Sequence, residues 1–256
     1  MSKKELIAAL LKHRYAHRGL HEKPVIPENS MAAFRRAVIE GFGIELDVHL
    51  TKDNKLAIIH DSSLKRTCGV DLQIEDLTLE EAQIYFLEKS QERIPSFEEV
   101  LEMVDGKVPL IVELKVGKNA DGNDTTKTLC EKTMETLDQY QGTYCVESFS
   151  PLAVKWFRKN RPDVVRGQLA GHLNRSKKTL PWIQDYLLKH LIVNRVGKPD
   201  FVAYCFEDRQ ETAIQMYRGP VFYWTIREYA DLKTVEALGG AAIFEKFNPK
   251  EYEKYQ

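Results

Sequence analysis

The chain has 256 residues, of which 43% are hydrophobic, enough to bury a sizeable core in one large domain or two small ones. Lys plus Arg number 37 and Asp plus Glu number 38, so the formal net charge is -1. This balance argues against a nucleic-acid binder with a broad basic face and against a polybasic membrane adsorber. A small anionic substrate, which needs only a few local cations, remains possible.

The sequence contains no apolar run long enough to cross a membrane, and its N-terminal apolar stretch, Leu6 to Leu11, is shorter than the core of a secretory signal. We therefore expect a soluble, cytoplasmic protein without stable membrane insertion. The four cysteines form no CxxC pair, which predicts reduced thiols rather than a disulfide framework or a structural zinc site. The sequence leaves the oligomeric state open.

Short β-branched runs alternate with stretches that suit amphipathic helices along the chain. Core strands are predicted at 14–17, 43–47, 108–114, 143–147, 164–168, 200–204, 221–225 and 241–245. Helices are predicted at 30–40, 96–104, 125–139, 151–160, 208–217 and 226–238. Eight such strands in about 250 residues predict a parallel (β/α)₈ TIM barrel. The alternative is an open doubly wound sheet, although the Gly-rich first turn typical of that fold is missing.

One segment interrupts this alternation. The link from Thr51 to Lys55 is too short for a parallel crossover, so the run from Leu56 to His60 should return antiparallel as a hairpin. If Asp53 and Asn54 alone form the loop, Asp47 faces His60 across the ribbon. This prediction depends on register, because a shift of one residue would move His60 to the other face.

Three carboxylates are placed at the ends of two predicted core strands. Glu45 and Asp47 lie at i and i+2 and so point to the same face, and Glu113 ends another strand in the same manner. Taken separately, each strand end has a simpler interpretation: Glu45 and Asp47 as solvent-facing acids, and Glu113 as the partner of Lys115 in an ion pair. Together the three would form an oxygen-rich pocket that suits Mg²⁺ or Ca²⁺ better than zinc.

The first predicted strand ends in His17, and Arg18 follows it. With His60 they would place two imidazoles and a guanidinium around a divalent-cation pocket. In-line cleavage of a phosphodiester needs those groups: cations to offset the developing charge, one imidazole to take a proton and another to give one. Trp224 is predicted either to pack at the barrel end or to cover the alcohol part of a substrate.

Several motifs in this order resemble the glycerophosphodiester phosphodiesterase family. They are Ala16-His-Arg-Gly19, Pro27-Glu-Asn-Ser30, Ile44-Glu-Leu-Asp-Val48, Ile59-His-Asp61 with Leu64-Lys-Arg-Thr67, and Val112-Glu-Leu-Lys115. The second half matches more loosely, through Glu147-Ser-Phe-Ser-Pro151 and Trp224-Thr225. The hairpin tip, Asp53-Asn54, and the segment Phe244–Pro249 depart from the usual family pattern.

The resemblance implies a single TIM-barrel domain over residues 1–256 with an insertion at about 48–95. It implies metal-dependent hydrolysis of glycerophosphodiesters to glycerol 3-phosphate and an alcohol. By motif position, Glu45, Asp47 and Glu113 match the metal ligands, and His17 and His60 match the acid and base pair. Arg18 and Lys115 match phosphate contacts.

Three other functions remain possible. The first is a related phosphodiesterase that acts on lysophospholipid or sphingolipid head groups. The second is a non-catalytic phosphate-binding barrel, and the third is a metal-dependent isomerase or aldolase on the same fold. The sequence leaves open the alcohol, the choice among Mg²⁺, Ca²⁺ and Mn²⁺, and which histidine is the acid.

Overall fold

The computed structural model describes residues 2–119, 121–173 and 181–254. The chain divides into two compact units, one of residues 15–144 and the other of residues up to 14 together with those from 145. Within the described residues, no helix combines the length and the apolar character that crossing a membrane requires. The expected cytoplasmic location and the single-domain organisation stay predictions.

The secondary structure of both units can be stated in chain order. The strands are β1 (Tyr15–His17), β2 (Gly43–Leu50), β3 (Leu56–Ile58), β4 (Leu110–Leu114), β5 (Tyr144–Ser148), β6 (Arg166–Ala170), β7 (Phe201–Cys205), β8 (Val221–Ile226) and β9 (Ala241–Phe244). The helices are α1 (Lys3–Leu10), α2 (Met31–Ile39), α3 (Lys65–Cys68), α4 (Leu79–Ala82), α5 (Phe97–Val104), α6 (Thr126–Leu137), α7 (Pro151–Asn160), α8 (Trp182–Lys189), α9 (Asn194–Gly197), α10 (Thr212–Gln215), α11 (Tyr229–Ala237) and α12 (Pro249–Glu253).

In the unit of residues 15–144, β2 is the central strand. It pairs in parallel with β1 and with β4, and antiparallel with β3. All eight residues of β2 are buried. Its apolar residues lie on the face opposite its acids, as expected for a strand that is covered on both faces. The register sets His17 beside Glu45 and sets Asp47 beside Glu113.

In the other unit, β6, β7, β8 and β9 pair in parallel with their neighbours along the chain, and β5 pairs with β6. Large aromatic side chains, among them Phe201, Tyr204 and Phe222, are fully buried there. Across the two units, eight parallel strands are linked by helical connections, the composition of a TIM (β/α)₈ barrel. The predicted fold class is confirmed, and the open doubly wound alternative is wrong.

All eight predicted core strands are present, most with ends shifted by one to three residues. The helix predicted at 208–217 is wrong in extent, because α10 covers only Thr212–Gln215 and a 3-10 turn covers Phe206–Asp208. The buried Asp208 explains the difference, since its carboxylate accepts a hydrogen bond from the backbone N–H of His172 at 2.7 Å. Helix α1, which was not predicted, begins with a capping box formed by Ser2 and Glu5.

The hairpin forms, but its predicted register is wrong by one residue. Val48 pairs with Ile58, and the backbone N–H of Ile59 donates to the carbonyl of Asp47 at 3.1 Å. The loop holds three residues rather than two, because the N–H of Thr51 bonds to the carbonyl of Lys55 and Asn54 adopts a φ of 58°. Asp47 therefore lies opposite Ile59 and not opposite His60.

Between the hairpin and β4, residues 59–94 supply most of a separate apolar cluster. Its buried members include Leu64, Ile74, Leu87 and Ile94. This cluster anchors the short helices α3 and α4 against the hairpin and so holds the polar residues of α3 in place. That the segment at about 48–95 is an insertion stays a prediction.

Candidate active site

Three carboxylates converge from the middle of β2 and from near the C-terminal end of β4. One ligand atom from each of Glu45, Asp47 and Glu113 lies within 4.8 Å of those of the other two, and all three residues are buried. The alternation of β2 places Glu45 and Asp47 on one face, and the parallel register places Glu113 beside Asp47. Among the described residues, this is the one such group of three or more potential metal ligands.

The ammonium group of Lys115 bridges two of these carboxylates. Its Nζ lies 2.9 Å from Oδ1 of Asp47 and 2.7 Å from Oε1 of Glu113. Burial opposes the charged form of Lys115, but both carboxylates outweigh it and raise the pKa of the lysine. The lysine is therefore a fixed cation at the edge of the acidic group.

The pKa values of the two acids next to Lys115 are shifted in opposite directions. Burial would raise the pKa of Asp47, but the charges of Lys115, His60 and Arg18 hold that pKa well below its usual range. Burial, helped by the neighbouring charge of Asp47, raises the pKa of Glu113 despite the opposing charges of Lys115 and His60. The ion pairs place two cations, Lys115 and Arg18, against three carboxylates, which favours a further cation.

The end of β1 presents His17 and Arg18 to this group. His17 Nε2 lies 3.9 Å from Oε2 of Glu45, and the same oxygen accepts the backbone N–H of Arg18 at 3.0 Å. Arg18 Nε lies 3.4 Å from Oδ2 of Asp47. Arg18 and Gly19 have φ values of 55° and 79°, so the chain turns sharply directly after the strand.

Only glycine fits at position 19. A Cβ there would lie 2.9 Å from atoms of Ala33 and Phe34 in helix α2, in addition to the strain of the positive φ. Helix α2 is in turn started by Ser30, whose hydroxyl accepts the N–H of Ala33. This close approach fixes the backbone that carries His17 and Arg18.

His60 lies near the acidic group, although the hairpin register was predicted wrongly. β3 ends at Ile58, so His60 follows the strand and its direction is set by tertiary contacts rather than by strand alternation. His49 Nε2 lies 3.1 Å from the carbonyl of His60, and His60 Nδ1 lies 2.6 Å from Oδ1 of Asp61. The imidazole is close enough for its charge to contribute to the low pKa of Asp47.

The structure adds residues to which the sequence analysis assigned no role. Asn29 Nδ2 donates to Oδ2 of Asp47 at 2.7 Å, and Glu28 Oε1 accepts from Arg18 Nη1 at 2.8 Å. Arg66 also contacts Glu28. In the sequence, the signal that pointed to these residues was their position inside the Pro27-Glu-Asn-Ser30 and Leu64-Lys-Arg-Thr67 motifs. Side-chain partners, however, require tertiary structure.

Trp224 lies in the other unit, on β8. Its indole N–H donates to the carbonyl of Ala203 at 3.1 Å, and its ring meets Phe149 edge to face at 5.7 Å between centroids. These contacts support the predicted packing role. The contact of Trp224 with a substrate stays a prediction.

The model of the glycerophosphoryl diester phosphodiesterase family matches residues 17–247. The chain belongs to this family.

Two curated glycerophosphodiester phosphodiesterases are similar to this member of the family. The protein of Caldanaerobacter subterraneus subsp. tengcongensis is 37% identical over 164 residues, and that of Bacillus altitudinis is 34% identical over 159 residues. The alignments cover 60% and 59% of this chain and 65% and 63% of the two relatives.

A solved structure supports the same fold over nearly the whole chain. It is an Oleispira antarctica phosphodiesterase in complex with the product sn-glycerol-3-phosphate. The TM-score is 0.76 at 22% identity, and the match covers 97% of this chain and 98% of the other. The predicted family is thus confirmed, and the roles of the individual site residues stay predictions.

Proposed function

We propose that this member of the family is a metal-dependent phosphodiesterase that hydrolyses glycerophosphodiesters to glycerol 3-phosphate and a free alcohol. The observation that carries the proposal is the convergence of Glu45, Asp47 and Glu113 within 4.8 Å, beside two histidines and two fixed cations. The names of the two curated relatives support it, as does the product held by the Oleispira antarctica protein.

Glu45, Asp47 and Glu113 would hold the metal. The set fits a hard divalent cation, because all three donors are carboxylates and Lys115 compensates only part of their charge. Such a cation would supply Lewis-acid stabilisation of the phosphoryl group. We propose Mg²⁺ or Ca²⁺, with Mn²⁺ as a further candidate.

Arg18 and Lys115 would bind the phosphate. The guanidinium is always charged and presents several N–H donors in a plane, and the raised pKa of Lys115 keeps its ammonium protonated. Both side chains are mostly buried, so little rearrangement is needed when the anion arrives. Preorganised cations of this kind stabilise the charge that develops in the transition state.

His17 and His60 would divide the proton transfers. One imidazole takes a proton from the attacking water as its oxygen bonds to phosphorus. The other gives a proton to the leaving alcohol oxygen as its bond to phosphorus breaks. Asp61 occupies Nδ1 of His60, so Nε2 is the nitrogen left for exchange with the reactants.

The deciding experiment is a hydrolysis panel. After EDTA treatment, Mg²⁺, Ca²⁺ and Mn²⁺ are added back singly, and glycerol 3-phosphate is measured from glycerophosphocholine, glycerophosphoethanolamine and glycerophosphoglycerol. Metal-restored release of glycerol 3-phosphate is expected. Hydrolysis of lysophosphatidylcholine, but of none of these three glycerophosphodiesters, would move the function to lysophospholipid head groups. No hydrolysis of any of the four compounds would overturn the proposal.

A further inference from the structure

Arg66 connects two carboxylates that serve different parts of the candidate active site. It lies on the short helix α3, and its Nη2 is 2.6 Å from Oε1 of Glu28. Its Nε is 2.5 Å from Oδ2 of Asp61. Neither carboxylate is among the proposed metal ligands.

The Asp61 contact leads to His60. Oδ2 of Asp61 accepts from Arg66 while Oδ1 faces Nδ1 of His60 at 2.6 Å, so both carboxylate oxygens are engaged and the plane of the group is fixed. A carboxylate fixed on Nδ1 keeps the neutral imidazole in the tautomer with its proton on that nitrogen. The orientation and tautomer of His60 thereby depend on Arg66.

The Glu28 contact leads to Arg18. Oε1 of Glu28 accepts from Arg66 and also from Arg18 Nη1 at 2.8 Å, while Oε2 contacts Lys23. Only 4% of Glu28 is exposed, so its charge depends on these cations rather than on water. Removing Arg66 would leave Glu28 less restrained where it holds Arg18.

We propose that Arg66 is a positioning residue that couples His60 to Arg18 through Asp61 and Glu28, so that the proton-transfer group and the phosphate-binding group are aligned together. The roles given to His60 and Arg18 rest on the proposed function. The contacts among these five residues do not. Arg66 itself, with 44% of its side chain exposed, needs no contact with substrate to act.

The kinetic test compares Arg66→Ala with two lysine variants, Lys23→Ala and Lys65→Ala. Lys23 contacts Glu28 and Glu88, and no contact joins it to Asp61 among the described ion pairs. Lys65 is an exposed neighbour of Arg66 whose ammonium is 4.0 Å from Asp71. Arg66→Ala should lower kcat about 10–100-fold and also raise KM, the range typical of loss of a supporting contact. Lys23→Ala should raise KM alone, and Lys65→Ala should change neither.

A double-mutant cycle tests the route through Asp61. If Arg66 acts on kcat through Asp61, the Asp61→Asn, Arg66→Ala double variant should lose no more kcat than the worse single variant. Additive losses would contradict the coupling. Circular dichroism and thermal melts of all variants check that the comparison is made between folded proteins.

A second readout is independent of turnover. The ¹⁵N shifts of the His60 ring at a pH where it is neutral report which nitrogen carries the proton. We expect the Nδ1–H form in the wild type and in Lys65→Ala, with a measurable shift toward the Nε2–H form in Arg66→Ala. An unchanged tautomer together with kinetics equal to those of Lys23→Ala would overturn the inference. If the wild type hydrolyses no glycerophosphodiester but the tautomer shifts, the proposed function fails and the coupling stands.

Discussion

The ammonium group of Lys115 lies 2.9 Å from Oδ1 of Asp47, a residue with no exposed surface. The contact joins the residue after the end of β4 to the middle of β2, across the parallel pairing that also sets Asp47 beside Glu113. A buried cation held in this way keeps its charge and is already in place for an arriving phosphate.

Lys115→Met should therefore remove a fixed charge and keep most of the side-chain volume. We expect kcat/KM to fall about 100-fold or more, because a preorganised donor to developing charge is lost. Lys107→Met, at an exposed lysine 3.2 Å from Asp105, is the matched control and should leave the rate unchanged. Steady-state kinetics with a folded variant decide; a Lys115→Met enzyme of near wild-type kcat/KM would contradict the phosphate role.

A divalent cation should stabilise the folded protein. At a metal concentration about 100 times Kd, the free energy of unfolding should rise by about 2.7 kcal/mol, because only the folded state assembles the three carboxylates. The rise in Tm on adding metal should vanish in Glu113→Gln, with each variant compared with its own metal-free form. Asp71→Asn, at an exposed aspartate, should keep it. An unchanged metal response in Glu113→Gln would exclude this residue as a ligand.

Each candidate acid or base should be essential to turnover. His17→Ala and His60→Ala should each reduce kcat by about 10²–10⁴-fold, the usual contribution of a positioned proton donor or acceptor. His190→Ala, at a histidine whose ring rests on Tyr186, is the control. Near-full activity in both folded variants at His17 and His60 would end the proposed mechanism.

Acid should destabilise the protein partly through Glu28. Burial would raise the pKa of this carboxyl, but Arg66, Arg18 and Lys23 hold it well below its usual range. The folded state therefore favours the ionised form, and its stabilising contribution is present above the unfolded pKa, about 4.3 for Glu. It is lost as pH falls below that value toward the folded pKa.

The measurement is urea unfolding at pH 7 and at pH 3. The wild type should lose more stability over this interval than Glu28→Gln, by up to about 1.4 kcal/mol per pH unit below the unfolded pKa. Glu102→Gln, at an exposed glutamate, should behave like the wild type. Equal losses in the wild type and Glu28→Gln would show that the charge of Glu28 contributes nothing.

A substitution at Trp224 distinguishes a packing role from contact with the substrate. Trp224→Phe removes the hydrogen bond to the carbonyl of Ala203 and should lower the melting temperature in either case; if the ring also covers the alcohol of the substrate, the substitution should raise KM for glycerophosphocholine as well. If the ring only packs, the lost hydrogen bond to Ala203 should lower the melting temperature and leave KM unchanged. Phe149→Leu, which removes the edge-to-face partner, provides the comparison for a pure packing effect.

The strand pattern and the acidic group could be predicted from the sequence because both depend on local geometry. Side chains at i and i+2 of a strand share a face, so Glu45 and Asp47 had to project together once β2 formed. Parallel strands of a barrel end at the same rim, which brought Glu113 to them. Strand alternation and the length of the connections therefore predict these positions without any knowledge of distant contacts.

The position of His60 and the network behind it depend on tertiary structure. A three-residue loop shifted the hairpin register by one, and the chain beyond Ile58 left the strand, so neither alternation nor loop counting predicts where the imidazole points. Arg66 meets Glu28 across 38 positions of sequence because the apolar cluster of residues 57–94 holds helix α3 there. Contacts of this kind are decided by packing, since one chain position can face many partners and only the folded core selects among them.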